Sequence, residues 1–201
     1  RRPPRSTQSR SSAASDVYKR QKKDFELIWK PILVGGIFNT TNPSVYKARN
    51  NPNPVKEKIT YYFKDLKDWA DARKIVINHD GFGPLNSPKV FPVNSVKAMR
   101  GSFMFLDEGG IENYLNSIFY AYWTDGLDIS LEENLTSIVE NLNVDSNKFL
   151  NFIQLQDTKD RLKNNTQELI DRGGFGSPTF FVNEKDMYFG QDRISLIEML
   201  L

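Results

Sequence analysis

Gly174-Phe175-Gly176-Ser177-Pro178-Thr179-Phe180-Phe181-Val182 is the stretch on which the reading of this chain turns. Thr179 to Val182 carries the Thr, Phe and Val that suit a pleated, buried surface. A proline stands at its mouth, where a ladder N–H is wanted, and proline is tolerated at the first residue of a strand. An X–Pro bond also adopts the cis form at a cost of only about 0.5–1 kcal/mol. A cis corner and an ordinary trans turn both fit these residues.

The pattern around this corner is coherent. Upstream, a helix is expected from Thr158 to Arg172, ended by Gly173-Gly174, with Arg172 in the last turn where a cation suits the dipole. Downstream, Met187–Phe189 reads as a second strand, joined to the first through Asn183-Glu184-Lys185-Asp186 as a hairpin. A final helix is expected from Asp192 to Leu201, with Asp192 or Ser195 near its start. A two-stranded hairpin is marginal by itself. The alternation in Phe25-Glu26-Leu27-Ile28-Trp29-Lys30 reads as a further strand beside it, with Pro31 at its exit.

Between these pieces the period is helical. Ile59, Tyr62, Phe63, Leu66, Trp69 and Ala70 predict a helix over 57–74, and Val96, Met99, Phe103 and Leu106 predict one capped by Asn94 or Ser95. Gly109-Gly110 stops it, and Leu115, Ile118, Phe119 and Tyr122 continue the period from Ile111 to Trp123. Ser130-Leu131-Glu132-Glu133 reads as a capping box opening a helix with Leu135, Ile138 and Val139. Asp145 starts another short helix. Residues 39–57 and 78–92, rich in Asn, Pro and Gly, read as loops. The three tryptophans are expected in the core, and His79 in an exposed loop. Asp107-Glu108 and Glu132-Glu133 read as solvated.

Composition narrows the function classes. The 201 residues leave room for one domain with an insertion, and 39% hydrophobic against 26% charged residues supports a packed core. A net charge of +2 is too balanced to argue for nucleic acid. No apolar run approaches the roughly 18 residues of a membrane helix. With no cysteine and one histidine, the chain holds no Cys-x-x-Cys pair, no disulfide framework and no zinc site of its own. No metal is expected, and the default compartment is cytoplasmic.

Residues 1–21, RRPPRSTQSRSSAASDVYKRQ, differ from the rest: five arginines, five serines, one acid and no hydrophobic period. The composition fits a transit peptide, but Asp16 to Gln21 back-translates readily to GAT GTG TAT AAG AGA CAG, which resembles a transposon adaptor end. Residues 1–21 are accordingly read as a non-native or disordered tail, and 22–201 as the domain, with its first strand and first helix missing. On that reading the fragment is expected to be unstable or inactive.

The helix–Gly–x–Pro–strand–hairpin–helix ending resembles the C-terminal half of a thioredoxin-like domain. Residues 23–201 resemble the family of 2-hydroxychromene-2-carboxylate isomerases and kappa-class glutathione transferases. The motifs carrying the resemblance are WKPILVGGIFNTTNPSVY (29–46), YYFKDLKDWA (61–70), FPVNSVKAMRG (91–101), RGGFGSPTFFV (172–182) and MYFGQDR (187–193). Each is weak alone; five in order are fairly specific. The resemblance implies an α/β, DsbA-like thioredoxin fold with a helical insertion at about 57–157. It also implies a homodimer, glutathione as cofactor and an aromatic or chromene acid as substrate.

Residue by residue, the resemblance places a cis bond at Pro178, with Ser177 before it binding the glutathione backbone. It places Gln191 and Asp192 at the glutamyl end. Asp192 can accept from an ammonium, and the last helix's N-terminal amides attract a carboxylate; Asp192 also reads as a plain N-cap. An asparagine after the Gly-Gly segment contacts ligand in the family, which falls on Asn42 rather than Asn51. Lys58, in a matching Lys-x-x-Tyr, is read as a solvated lysine, and Arg100 as a buried ion-pair residue. The family's catalytic serine has no counterpart after Lys22, so that role is assigned to no residue. The alternatives are a DsbA-type dithiol oxidoreductase, which needs Cys-x-x-Cys at the missing first helix, and a non-catalytic binding protein on the same fold.

Overall fold

The computed structural model describes residues 26–49, 53, 55–77 and 93–201. The tail at 1–21, the loop at 78–92 with His79, and Asn51 lie outside those residues. Nine helices and one hairpin are described: α1 (Val34–Thr41), α2 (Ser44–Arg49), α3 (Lys56–Arg73), α4 (Val96–Glu108), α5 (Ile111–Trp123), α6 (Glu132–Glu140), α7 (Ser146–Gln154), α8 (Gln156–Asp171), β1 (Thr179–Val182), β2 (Asp186–Phe189) and α9 (Ile194–Leu200). A 3-10 turn, Gln191–Arg193, joins β2 to α9.

The core lies in the helical block. Phe149, Leu135, Val139 and Ile153 are fully buried where α6 and α7 meet, and α4 and α5 close the other side with Met104, Tyr114 and Ile118. Tyr114 stacks on Phe105 at 4.4 Å between ring centroids and donates its hydroxyl to the Ala98 carbonyl at 2.7 Å. That bond gives the one polar atom of a fully buried ring a partner, which such a group requires. Burial pushes its phenol pKa upward. Gly101 sets the spacing of α4: a Cβ there would lie 2.5 Å from both Phe149 Cε2 and the Tyr114 hydroxyl. Asp145 caps α7 by accepting from the Lys148 N–H at 2.6 Å, as its sequence position predicts.

Several expectations are corrected. Residues 26–33 form no strand; they run beside α8, held by side chains rather than by a ladder. The Leu33 N–H donates to Thr166 Oγ1 at 2.9 Å, Asn165 Nδ2 to the Pro31 carbonyl at 3.1 Å, and Lys30 pairs with Glu168 at 2.5 Å. Leu27, on the apolar face of the expected strand, is left 37% exposed. The sheet among the described residues therefore has two strands, antiparallel, with Phe180 opposite Tyr188 and Phe181 opposite Met187. The stretch 39–57 is no plain loop either. Asn42-Pro43 separates two helices, and α3 begins at Lys56. Gly35-Gly36 sits in the first turn of α1, where a Cβ on Gly36 would come within 3.3 Å of Thr166 on α8.

The capping box at Ser130 does not form. Its hydroxyl turns to Asp128 Oδ1 at 2.6 Å, and α6 starts at Glu132 with no side-chain cap. Trp69 is 55% exposed, with Arg73 over its ring, while Trp29 and Trp123 are half-buried. The acidic pairs are exposed but not merely solvated. Asp107 takes a bidentate Arg161, Glu108 pairs with Lys148, and Glu132 with Lys97. The Arg161 hydrogen bonds hold the Asp107 carboxyl below its ordinary pKa.

Gly101→Val should destabilise the chain by about 2 kcal/mol, because the added methyls drive Phe149 and Tyr114 off their rotamers; an unchanged urea midpoint would refute the close approach. The Lys30–Glu168 pair gives a pH signature. The hydrogen bond from Lys30, with smaller help from Arg172, lowers the Glu168 pKa. A depressed carboxylate contributes its stability above the unfolded pKa and loses it as pH falls through the folded one. In Glu168→Gln, amides of residues 28–34 should exchange faster than in wild type at pH 7. The difference should vanish below the ordinary glutamate range; a difference that persisted there would sink the assignment.

Candidate functional site

The corner at Ser177 is built by the end of α8. Gly173 takes φ +84°, its N–H donates to the Ile170 carbonyl at 2.9 Å, and the Gly174 N–H donates to the Leu169 carbonyl at 2.8 Å. These two bonds satisfy carbonyls that a helix end leaves open, and the left-handed residue turns the chain back. Gly174 packs so tightly that a Cβ would meet Leu169 at 2.4 Å, and one on Gly176 would meet the Phe189 ring at 2.7 Å. Gly174 thus lies against α8 and Gly176 against β2 where a side chain would not fit, while Phe175 between them packs its ring on Phe189. Thr179 Oγ1 donates to the Gly176 carbonyl at 2.8 Å and closes the turn.

The Ser177–Pro178 peptide bond is cis. Ser177 is exposed, and its main-chain N–H and carbonyl make no bond among the described residues. The Pro178 carbonyl accepts from the Gly190 N–H at 3.0 Å. That bond brings the turn of Gln191 and Asp192 against the corner. Gly190 has φ +101°, and its missing Cβ would stand 2.6 Å from Asp192 Oδ1. Gln191 and Asp192 are exposed, and Asp192 pairs with Arg193 at 3.0 Å.

Four of the five residues expected at the site, Ser177, Pro178, Gln191 and Asp192, therefore meet at one place. Asn42 is not tied to it. It ends α1, accepts from the Ser44 hydroxyl at 2.6 Å, and bonds otherwise to Phe38 and Val45. The reading of Asp192 as an N-cap is corrected: the 3-10 turn intervenes, and α9 starts after Arg193 with no side-chain cap. Lys58 is exposed, in keeping with a solvated lysine.

Arg172 does more than complement the α8 dipole. Its guanidinium lies 3.6 Å over the Phe181 ring, pairs with Glu168 at 3.0 Å, and donates to the Glu184 carbonyl at 2.7 Å. One side chain thus joins α8, β1 and the hairpin turn. The sequence signal is weak: only a cation directly before Gly-Gly and a strand with two adjacent phenylalanines.

The arrangement is an exposed peptide edge beside a carboxylate and an amide. It can recognise a small peptide by main-chain pairing at Ser177 and an ammonium at Asp192. Among the described residues no cluster of histidine and carboxylates could hold a metal ion. No described helix is long and apolar enough to cross a membrane.

The DsbA-like thioredoxin domain family matches residues 10–201. The chain belongs to that family. Two relatives named 2-hydroxychromene-2-carboxylate isomerase come from Pseudomonas. The one from Pseudomonas sp. (strain C18) is 29% identical over 70% of this chain, and that from Pseudomonas putida 30% identical over 72%. The aligned parts span 61% and 66% of those proteins' length. A solved 2-hydroxychromene-2-carboxylate isomerase superposes with a TM-score of 0.68 at 25% identity, covering 94% of this chain and 87% of its own. The fold is thus the DsbA-like thioredoxin fold, rich in helix with a small sheet, and at family level its relatives are isomerases.

Gly190→Ala should cost more than about 1 kcal/mol, since the new Cβ both strains a positive-φ backbone and displaces Asp192. A melting temperature equal to that of wild type would show that the turn tolerates the change.

Proposed function

We propose that this chain belongs to a glutathione-dependent cis–trans isomerase acting on 2-hydroxychromene-2-carboxylate or a similar aromatic acid. The observation that carries the reading is the Gly190 N–H bond to the Pro178 carbonyl, which sets Asp192 beside the open backbone of Ser177. Glutathione is a peptide with an ammonium and a carboxylate at its glutamyl end, and this corner offers a partner to its main chain and to that ammonium. The relatives named as isomerases support the same reading.

On this reading the nucleophile belongs to the cofactor. Glutathione, when bound, would supply a thiolate able to add reversibly to the conjugated double bond of the ring-opened acid. No residue of the chain is oxidised or acylated, consistent with 201 residues that include no cysteine. Ser177 and Pro178 position the peptide, and Gln191 and Asp192 hold the glutamyl end. Asn42 serves this site only if the α1–α2 turn is brought to the ligand. A homodimer working in the cytoplasm is part of the proposal.

The test is calorimetric titration of the chain with glutathione. Asp192→Asn should weaken binding about tenfold, as expected for loss of a charge-assisted hydrogen bond. Ser177→Ala should stay within about threefold of wild type, because the contact is to its backbone. Equal affinity in Asp192→Asn, or no binding of glutathione at all, would leave a binding protein on this fold as the better account.

A further inference from the structure

Charge is unevenly placed along this chain. Residues 101–147 hold nine acids and no lysine, arginine or histidine, in a chain whose net charge is +2. Cations from outside the stretch relieve three of those acids. Arg161 takes Asp107, Lys148 takes Glu108 and Lys97 takes Glu132. The others, Asp125 among them, join no ion pair among the described residues.

Within this stretch a cavity of about 490 Å³ lies between α5, α6 and the turn that follows α5. No residue of the Ser177 corner lines it, and no cationic side chain does. Ala121, Leu127 and Ile138 give it an apolar side, and Tyr120, 51% exposed, adds an aromatic ring. Ser117, Ser137 and Asn141 bring polar side chains that make no hydrogen bond among the described residues. Asp125 brings the charge, and backbone bonds alone set its place. Its N–H donates to the Tyr120 carbonyl at 3.1 Å, Gly126 turns the chain at φ +68°, and the Leu127 N–H returns to the Ala121 carbonyl at 2.8 Å. The carboxylate itself is exposed and engaged by no side chain among the described residues.

We infer that this cavity binds a small organic cation, an ammonium on a short hydrocarbon chain. An ammonium presents three donors and no acceptor. The Asp125 carboxylate can take one of them as a charge-assisted hydrogen bond, and the hydroxyl and amide oxygens of the lining can take the others. The hydrocarbon chain covers the apolar side, and an aromatic ring suits both the carbon chain and the cation. The volume lies within the range of ligand pockets, about 300–1,000 Å³. The unpaired acids of the stretch attract a cation toward this face and repel a carboxylate. A bare metal ion would leave the apolar side wet, and no cluster of histidine and carboxylates among the described residues could hold one. The inference rests on this cavity and does not depend on glutathione binding at Ser177.

The experiment is titration of the full chain with putrescine, butanediol and ammonium chloride at constant ionic strength, followed by the amide chemical shifts of residues 116–141. Putrescine should bind, with butanediol and ammonium each at least about tenfold weaker, since one lacks the charge and the other the hydrocarbon. Asp125→Asn should weaken putrescine about tenfold, and Tyr120→Ala about threefold to tenfold. Both replace exposed side chains, so the fold is retained. Glu133→Gln removes an unpaired acid of α6 that does not line the cavity, and should change affinity less than about twofold. Glutathione affinity should be unmoved in Asp125→Asn, which separates this site from the corner. Butanediol or ammonium binding as tightly as putrescine, or unchanged affinity in Asp125→Asn, would overturn the inference. So would an equal loss in Glu133→Gln, because the attraction would then belong to the acidic face as a whole and not to the cavity.

Discussion

The position of the Ser177 corner depends on where α8 stops. Gly173 alone among the last residues of that helix takes a left-handed φ, and its two capping bonds reverse the chain within three residues. A side chain at Gly174 or Gly176 would collide with Leu169 or Phe189. The helix end, the strand start and the 190–192 turn are thereby fixed as one unit. Arg172, the last residue before the reversal, ties that unit to the hairpin through Phe181 and Glu184. Shifting the stop of α8 by one residue would rotate Arg172 away from both and move Ser177 out of line with Asp192.

The same helix connects two differently built regions. Toward its N-terminus it packs on α4 and α7, beside a core of large apolar side chains. Toward its C-terminus it meets α1 and the 26–33 segment through Thr166, whose hydroxyl accepts from the Leu33 N–H and donates to the Leu162 carbonyl. The first region holds by close packing, as the missing Cβ of Gly101 attests. The second holds by a few directed hydrogen bonds and one exposed ion pair. An exposed pair contributes at most about 1 kcal/mol, so the second region is the one expected to open first.

Much of the fold was legible because local signals agreed. Helix α5 was placed at both ends, since an apolar period of 3.6 met a Gly-Gly stop before it. The hairpin was found from its β-branched and aromatic runs around a polar turn. The failures share a cause. Glu26 to Lys30 alternates like a strand, but a strand exists only with a ladder partner, and here the neighbours are α8 side chains. Asn-Pro in 39–57 reads as a loop signal, yet one such pair can simply divide two helices. Ser130 matched a capping box, but Asp128, two residues away, captures its hydroxyl first. Arg100 reads as a buried ion-pair residue, but it is only half-buried and no ion pair joins it to a described residue. Its actual surroundings, two lysines from a distant helix, are written nowhere near it in the chain.

The candidate site was legible in part for a physical reason as well. Ser177, Pro178, Gln191 and Asp192 lie within one hairpin and its flanks, so short-range geometry brings them together, and a family resemblance could carry them over. Asn42 depends on how α1 and α2 are set against the hairpin, which no local pattern encodes. The chemistry follows the same division. An open peptide edge and a carboxylate recognise and orient a ligand, but neither is a strong nucleophile, and the 201 residues contain no thiol. On the proposed reading, the nucleophile comes with the bound peptide rather than from the residues that hold it.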